Sequence, residues 1–137
     1  MYPKWAYLIV DFPVSPGDTI SASVEYLSKG IFELTITNET EDVTFSLTQR
    51  APSAQRLSAE WVEEAPWSGG VLPLADFGTV SFSDCFAVMD GQPGPISDSR
   101  WQYDAITMAA SETGPVKAVP SDLAQKGTAF SVTWRHE

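Results

Sequence analysis

Thiols and imidazoles are nearly missing from this sequence. Cys85 is its one cysteine and His136 its one histidine in 137 residues. No intrachain disulfide can form and no Cys/His metal cluster can be assembled. Basic side chains are scarce as well: eight Lys and Arg stand against eighteen Asp and Glu, a formal charge of −10. Nucleic acid and anionic membranes both need clustered positive charge, so neither is expected as a partner. Long apolar runs are lacking. No stretch reaches the ~20 residues of a membrane-spanning helix, and no basic segment followed by an apolar run opens the sequence, so no export signal is expected in it as it stands. Helical periodicity is the last absence, since no useful window repeats apolar residues at i, i+3, i+4 and i+7.

What is present describes a globular protein. Apolar residues make up 43% and aromatics 12%, more than a disordered chain carries. The length suits one domain, so residues 1–137 are expected to form a single β-sandwich. The acidic balance fits a protein that keeps working in acid, where protonated carboxylates no longer repel one another. Cys85 is expected as a small buried hydrophobe. Asn38-Glu39-Thr40 spells a glycosylation sequon.

Period-two alternation dominates. After the turn signal Ser15-Pro16-Gly17-Asp18, Ile20, Ala22, Val24 and Tyr26 alternate with Ser21, Ser23 and Glu25. Phe32, Leu34 and Ile36 share one face of the next run, and a polar tip from Asn38 to Asp42 leads into Val43, Phe45 and Leu47, the pattern of a hairpin. Further strands are expected at Trp5–Phe12, Leu57–Glu64, Gly78–Met89, Tyr103–Ala109 and Phe130–Arg135. The loops expected between them are Ala51–Ser53, Pro66–Gly70, Gly91–Ser99 and Pro120–Gly127. About eight strands without crossover helices indicate an all-β, antiparallel β-sandwich.

Within an extended run from Leu57 to Glu64, Ser58, Glu60, Val62 and Glu64 share one face, and Ala59, Trp61 and Glu63 the other. Were that face to line a cleft, desolvation and the like charge of Glu64 would favour a protonated Glu60 in acid and suit it to proton transfer. Other constellations are thinner. Asp76, Asp84 and Asp90 offer oxygen ligands for calcium but lack the regular spacing of a calcium loop. Asp76-Phe77-Gly78 spells the kinase metal-binding tripeptide without the motifs that accompany it. Of the five tryptophans, Trp61 and Trp134 alternate with polar residues in strands and read as core. Trp67 and Trp101 lie among Pro, Gly and Ser, where an indole can stand exposed as a sugar-stacking platform.

The run Ser58-Ala59-Glu60-Trp61-Val62-Glu63-Glu64-Ala65-Pro66, followed by Leu72-Pro73-Leu74-Ala75-Asp76-Phe77-Gly78-Thr79-Val80-Ser81-Phe82, resembles the glutamic peptidases (eqolisins). Their signature is a Glu-Trp-aliphatic-x-Glu strand, a short loop, and an Ala-Asp-Phe-Gly strand start. Pro16-Gly17-Asp18-Thr19-Ile20 and the hairpin around Thr37-Asn38-Glu39-Thr40 fit the family pattern too. The resemblance covers about residues 1–90 and thereafter only the Phe130–Trp134 strand.

It implies a sandwich of the concanavalin A-like, jelly-roll type, incomplete relative to the family. It also implies acid-active endopeptidase chemistry with no metal or cofactor. A glutamate activates water as general base, and a glutamine positions the water and stabilises the oxyanion. By motif, Glu60 is the catalytic glutamate, with Glu64 and Trp67 the candidate substrate-binding residues. The family's glutamine lies upstream, in strands ending near a Glu-aromatic-Tyr-Pro run. Met1-Tyr2-Pro3-Lys4-Trp5 resembles the end of that run entered at an internal methionine, and none of Gln49, Gln55, Gln92, Gln102 and Gln125 sits in the glutamine's context.

The expectation is a chain inactive by itself, acting on peptide or protein substrates once complete, with its exposed sheet edges covered by a second chain or by self-association. Family resemblance implies secretion. The alternative from another class is a non-catalytic β-sandwich that binds glycans or a protein partner.

Overall fold

A computed structural model describes residues 8–136. Contacts divide the chain into two compact units, residues 1–57 and 58–137. All pairing is antiparallel, and among the described residues the only helical turn is a 3-10 turn at Gln125–Gly127.

The first unit is a three-stranded sheet in the order β1 (Ile20–Ser28), β2 (Ile31–Asn38), β3 (Val43–Arg50). Its register follows from the alternation. Ala22 pairs with Ile36 and Ile36 with Phe45, while Val24 pairs with Leu34 and Leu34 with Leu47, so the apolar sets meet on one face. On the opposite face Thr35 and Ser46, and Thr37 and Thr44, share hydroxyl hydrogen bonds of 2.9 Å. β1 turns into β2 through Lys29 and Gly30, both at positive φ, as a tight hairpin turn requires. Glycine is needed at the second place for another reason: a Cβ there would lie 2.5 Å from the Pro52 Cα. The apolar face stays open. Val24 is 70% exposed, and Ile9, Ala22, Val24, Leu34, Ile36 and Leu47 line a shallow groove of about 300 Å³.

Among the described residues of this unit the fully buried side chain is polar. Asn38 has no exposure, and its amide nitrogen donates to the Pro13 carbonyl at 3.0 Å and to Asp18 Oδ2 at 2.7 Å. Its oxygen accepts from the backbone N–H groups of Thr40 at 3.0 Å and Glu41 at 3.2 Å. The sequon asparagine is thus a knot tying the Pro13–Asp18 turn to the β2–β3 tip. Both amide hydrogens are engaged and no surface is left for a glycan.

The second unit carries shorter strands. β4 (Thr79–Phe82), β9 (Phe130–Trp134), β8 (Val116–Pro120) and β7 (Met108–Ala109) form one sheet in that order, and β5 (Phe86–Met89) and β6 (Gln92–Pro95) a separate hairpin. Leu74, Ala118 and Val132 are buried together, with Ala65, Phe77, Phe82, Phe130 and Trp134 packed against them. Phe82 stacks on Phe130 at 4.7 Å between ring centroids, and the Trp134 indole N–H donates to the Leu74 carbonyl at 3.2 Å. Cys85 is buried as expected, and burial, with the neighbouring Asp84 charge, pushes its thiol pKa up.

A second fastening holds the β5–β6 hairpin. The Arg100 guanidinium grips Asp98 at 2.8 Å to each oxygen and donates to the Gln92 and Pro93 carbonyls at 3.1 and 2.9 Å. It lies 4.9 Å from the Trp101 ring centroid, and the indole N–H reaches the Ile96 carbonyl at 2.9 Å. Trp101 is therefore half-buried and latched, not a free platform. Hydrogen bonds from the Arg100 side chain and backbone hold the Asp98 carboxyl down to about 2.

Several expected boundaries move. The expected strand at Trp5–Phe12 lies partly outside the described residues, as does the Met1–Trp5 run, and Leu8–Phe12 form no strand. Gly78–Met89 splits into β4 and β5, because the chain breaks at Asp84 with φ 52°. Tyr103–Ala109 contracts to Met108–Ala109. The expected Gly91–Ser99 loop contains β6, whose prolines pair at a hairpin edge, and β8 was hidden by its short, proline-ended run. Leu57–Glu64 joins no sheet, for the reason described next.

Candidate active site

The segment bearing Glu60 is an unpaired strand in all but name. Exposure alternates along it with the two-residue period of extended backbone: Glu60, Val62 and Glu64 are exposed, and Trp61, Glu63 and Ala65 half-buried. Ala65 packs against the Leu74, Ala118 and Val132 cluster, which fixes the side that turns inward and leaves Glu60 on the outer one. Yet from Gln55 to Ala65 no backbone N–H or C=O takes part in a hydrogen bond among the described residues. Alternation was legible in the sequence; the ladder that makes a strand needs a neighbour, and none of the described strands lies alongside.

Glu60 itself accepts one hydrogen bond, from Ser58 Oγ to Oε1 at 3.3 Å. Ser58 shares its face, as the alternation required. The expected cleft is not formed by the described residues, because Glu60 is exposed. Glu64 is four residues on, about 13 Å at extended rise, too far to share a proton with it. None of the chain's glutamines hydrogen-bonds to Glu60 among the described residues. The geometry offers a solvated carboxylate steadied by a hydroxyl, able to take a proton from water and open to a partner from outside.

After Ala65 the chain doubles back at once. Trp67 bridges Val71, Ser68 N–H donates to the Gly70 carbonyl at 2.9 Å, and Leu72 N–H to the Pro66 carbonyl at 2.8 Å. This small hairpin, expected only as a loop, lifts Trp67 to 71% exposure. Beyond it Leu74 enters the core. Asp76 Oδ1 then accepts the Gly78 N–H at 2.9 Å and, with Gly78 at φ +66°, shapes the turn that starts β4. The Ala-Asp-Phe-Gly motif is thus structural here: Asp76 caps the turn and Phe77 packs inward.

A cleft of about 540 Å³ beside that turn is lined by Pro73, Leu74, Ala75, Asp76, Trp134 and His136. It brings the lone histidine to the same wall as Asp76, a meeting that their separation in sequence concealed. Among the described residues no three acidic, histidine or cysteine side chains stand close enough to hold a metal ion, and Asp76, Asp84 and Asp90 do not converge.

Comparison with known proteins adds to this geometry. A model of the peptidase A4 family matches residues 1–134. Aspergillopepsin-2 of Aspergillus niger is 29% identical over 136 residues, covering 96% of this chain and 42% of that protein. The chain therefore spans less than half the length of that relative. The crystal structure of aspergilloglutamic peptidase from Aspergillus niger superposes with a TM-score of 0.80 at 29% identity, over 98% of this chain and 76% of that one. The match supports the all-β, antiparallel sandwich class and runs well past residue 90, where the sequence resemblance had thinned.

Proposed function

This chain belongs to the peptidase A4 family, and we propose that it carries the general-base half of an acid-active glutamic endopeptidase. In this reading Glu60 removes a proton from a water molecule, and the water oxygen bonds to the carbonyl carbon of the scissile peptide. An amide side chain from outside the described residues holds the water and stabilises the oxyanion. As the tetrahedral intermediate collapses, the carbon–nitrogen bond breaks and Glu60 returns the proton to the leaving amine. No step calls for a metal or cofactor.

The observation that carries the proposal is the family match across the Glu-Trp-Val-Glu-Glu run, with Glu60 on the open side of its segment. Glu64 continues that exposed side and Trp67 stands out beyond it, which supports them as contacts for a peptide substrate. In this reading the described residues are inactive by themselves, and the amide comes from a further polypeptide segment, a second chain or another copy. Secretion is the compartment that the resemblance implies.

The exposure of Trp67 favours one other reading, a binding module for glycans. One experiment separates the two. An acid-unfolded protein is offered at about pH 3–4, where many carboxylates sit near their ordinary range, to the chain combined with a partner segment of the family. Cleavage that disappears in Glu60→Gln supports the peptidase. No cleavage, with tryptophan fluorescence shifting as oligosaccharides are added, supports the binding module.

A further inference from the structure

We infer that the end of the β1–β2–β3 sheet carrying Lys29, Arg50 and Arg56 binds acidic polypeptide segments. The inference deepens the peptidase reading, from which it takes polypeptide as the ligand. Its test reads binding to the chain alone, so the two can fail separately.

Backbone geometry brings the three cations together. Lys29 stands in the β1–β2 turn and Arg50 closes β3, and the Ala51 N–H donates to the Gly30 carbonyl at 2.7 Å, so each cation adjoins one end of a single hydrogen bond. Arg56 returns to the same place: its guanidinium carbon lies 3.9 Å from the ring centroid of Tyr26, which pairs with Phe32 beside that turn. By parity, Tyr26 belongs to the apolar face with Ala22 and Val24, and Arg50 to the hydroxyl face with Thr44 and Ser46. The two arginines therefore straddle the sheet end, with Lys29 at the turn between them. All three are exposed.

This end is set apart by the acid it lacks. Acidic side chains outnumber basic ones eighteen to eight, so a cation ordinarily finds a carboxylate, as Arg100 finds Asp98. Yet residues 26–32 and 43–59 contain no Asp or Glu, and among the described residues none of Lys29, Arg50 and Arg56 forms an ion pair. Glu33 and Glu25, paired with each other on the hydroxyl face, bound the patch on that side. Asp18, Glu39, Glu41 and Asp42 gather at the opposite end of the sheet. Strands of eight or nine residues set the two ends about 25 Å apart, more than twice the screening length of about 10 Å at 0.1 M salt. The acidic end does not cancel the basic one.

The chemistry of the occupant follows. Guanidinium groups fork onto planar carboxylates, and the Tyr26 ring already holds that of Arg56 in place. Neighbouring strands lie about 4.8 Å apart, a spacing that suits an extended peptide whose alternate side chains are about 7 Å apart. Three cations are too few to hold a nucleic acid against a chain charge of −10. A peptide segment with two or three carboxylates is the match.

The probe is a short labelled peptide with glutamate at every second position, compared with its glutamine counterpart at about pH 5, where peptide carboxylates are mostly charged. Fluorescence anisotropy should show the glutamate peptide binding about tenfold more tightly or better, with the advantage fading as salt rises from about 50 to about 500 mM. Amide signals around Lys29, Arg50 and Arg56 should shift on binding. Lys29→Gln, Arg50→Gln and Arg56→Gln should each weaken the complex about two- to fivefold, and all three together should abolish it. The positions are exposed, so β2 amides should stay protected from exchange in every variant.

Equal binding of the glutamine peptide would overturn the inference, as would signals that shift elsewhere. Tighter binding of single-stranded DNA would make the patch a general polyanion surface and overturn it too. So would light scattering in which the chain associates and the triple variant does not, because the acidic tip of a second copy would then be the occupant. Failure of cleavage with glutamate-peptide binding intact would support this site and count against the peptidase alone.

Discussion

Residues 1–57 and 58–137 solve the same problem by opposite means. The first unit has long, regular strands of eight or nine residues, but among its described residues the apolar face is open and the fully buried side chain is Asn38. The second has strands of two to five residues, yet gathers Leu74, Ala118 and Val132 into a buried cluster. Regularity of backbone and depth of core are therefore separate properties. One is organised by a ladder and a polar knot, the other by side-chain packing.

The comparison is broken most severely by removing the knot. Asn38→Ala removes the side chain's bonds to Pro13, Asp18, Thr40 and Glu41 from a fully buried position and should cost about 3 kcal/mol or more, at about 1 kcal/mol net for each hydrogen bond. We further propose that residues 1–137 act as one domain, so calorimetry of Asn38→Ala should show one transition shifted down as a whole. A loss confined to the amides of β1–β3 would divide the domain in two.

That knot also marks the limit of what the sequence discloses. Period-two alternation made β1, β2 and β3 readable almost to the residue, because each side chain's face depends only on its parity. Nothing in Asn38-Glu39-Thr40 distinguishes a glycosylation site from a buried asparagine, since the distinction depends on Pro13 and Asp18 arriving at its amide. In the second unit parity failed for want of length: two-residue β7 and proline-ended β8 carry too few alternations to register. At the candidate site, the motif singled out Glu60 as a candidate, and the alternation put it on the face of Ser58, whose hydroxyl hydrogen bond it accepts. Whether a strand forms there was beyond either, because pairing belongs to the neighbour.

Packing should show the reverse asymmetry. Leu74→Ala, at a site 4% exposed, should cost about 3 kcal/mol in denaturant unfolding. Val24→Ala, 70% exposed in the first unit, should stay within about 0.5 kcal/mol. Equal losses would mean that the open face of β1–β3 is covered in solution, for instance by a second copy.

The smallest expected effect concerns acid. The Asp98 carboxyl is lowered from 3.8 to about 2 by Arg100. Its contribution is fully present above the ordinary value and is lost only as pH falls through about 2, so the latch persists where an acid peptidase would work. Asp98→Asn should lower the melting temperature slightly at about pH 5 and leave it unchanged below the folded value, near pH 1.5. A difference that vanishes already at about pH 4 would show that the ion pair does not hold in solution.

The central claim is that Glu60 is the base of a peptidase completed from outside the described chain. Its most direct test is kcat/KM for peptide cleavage by the complemented protein, compared with its Glu60→Gln form at equal exchange protection of β2 and β9. A loss of about 10²–10⁴-fold with protection unchanged is the predicted result for removal of a general base. Cleavage that persists undiminished in Glu60→Gln would contradict the assignment.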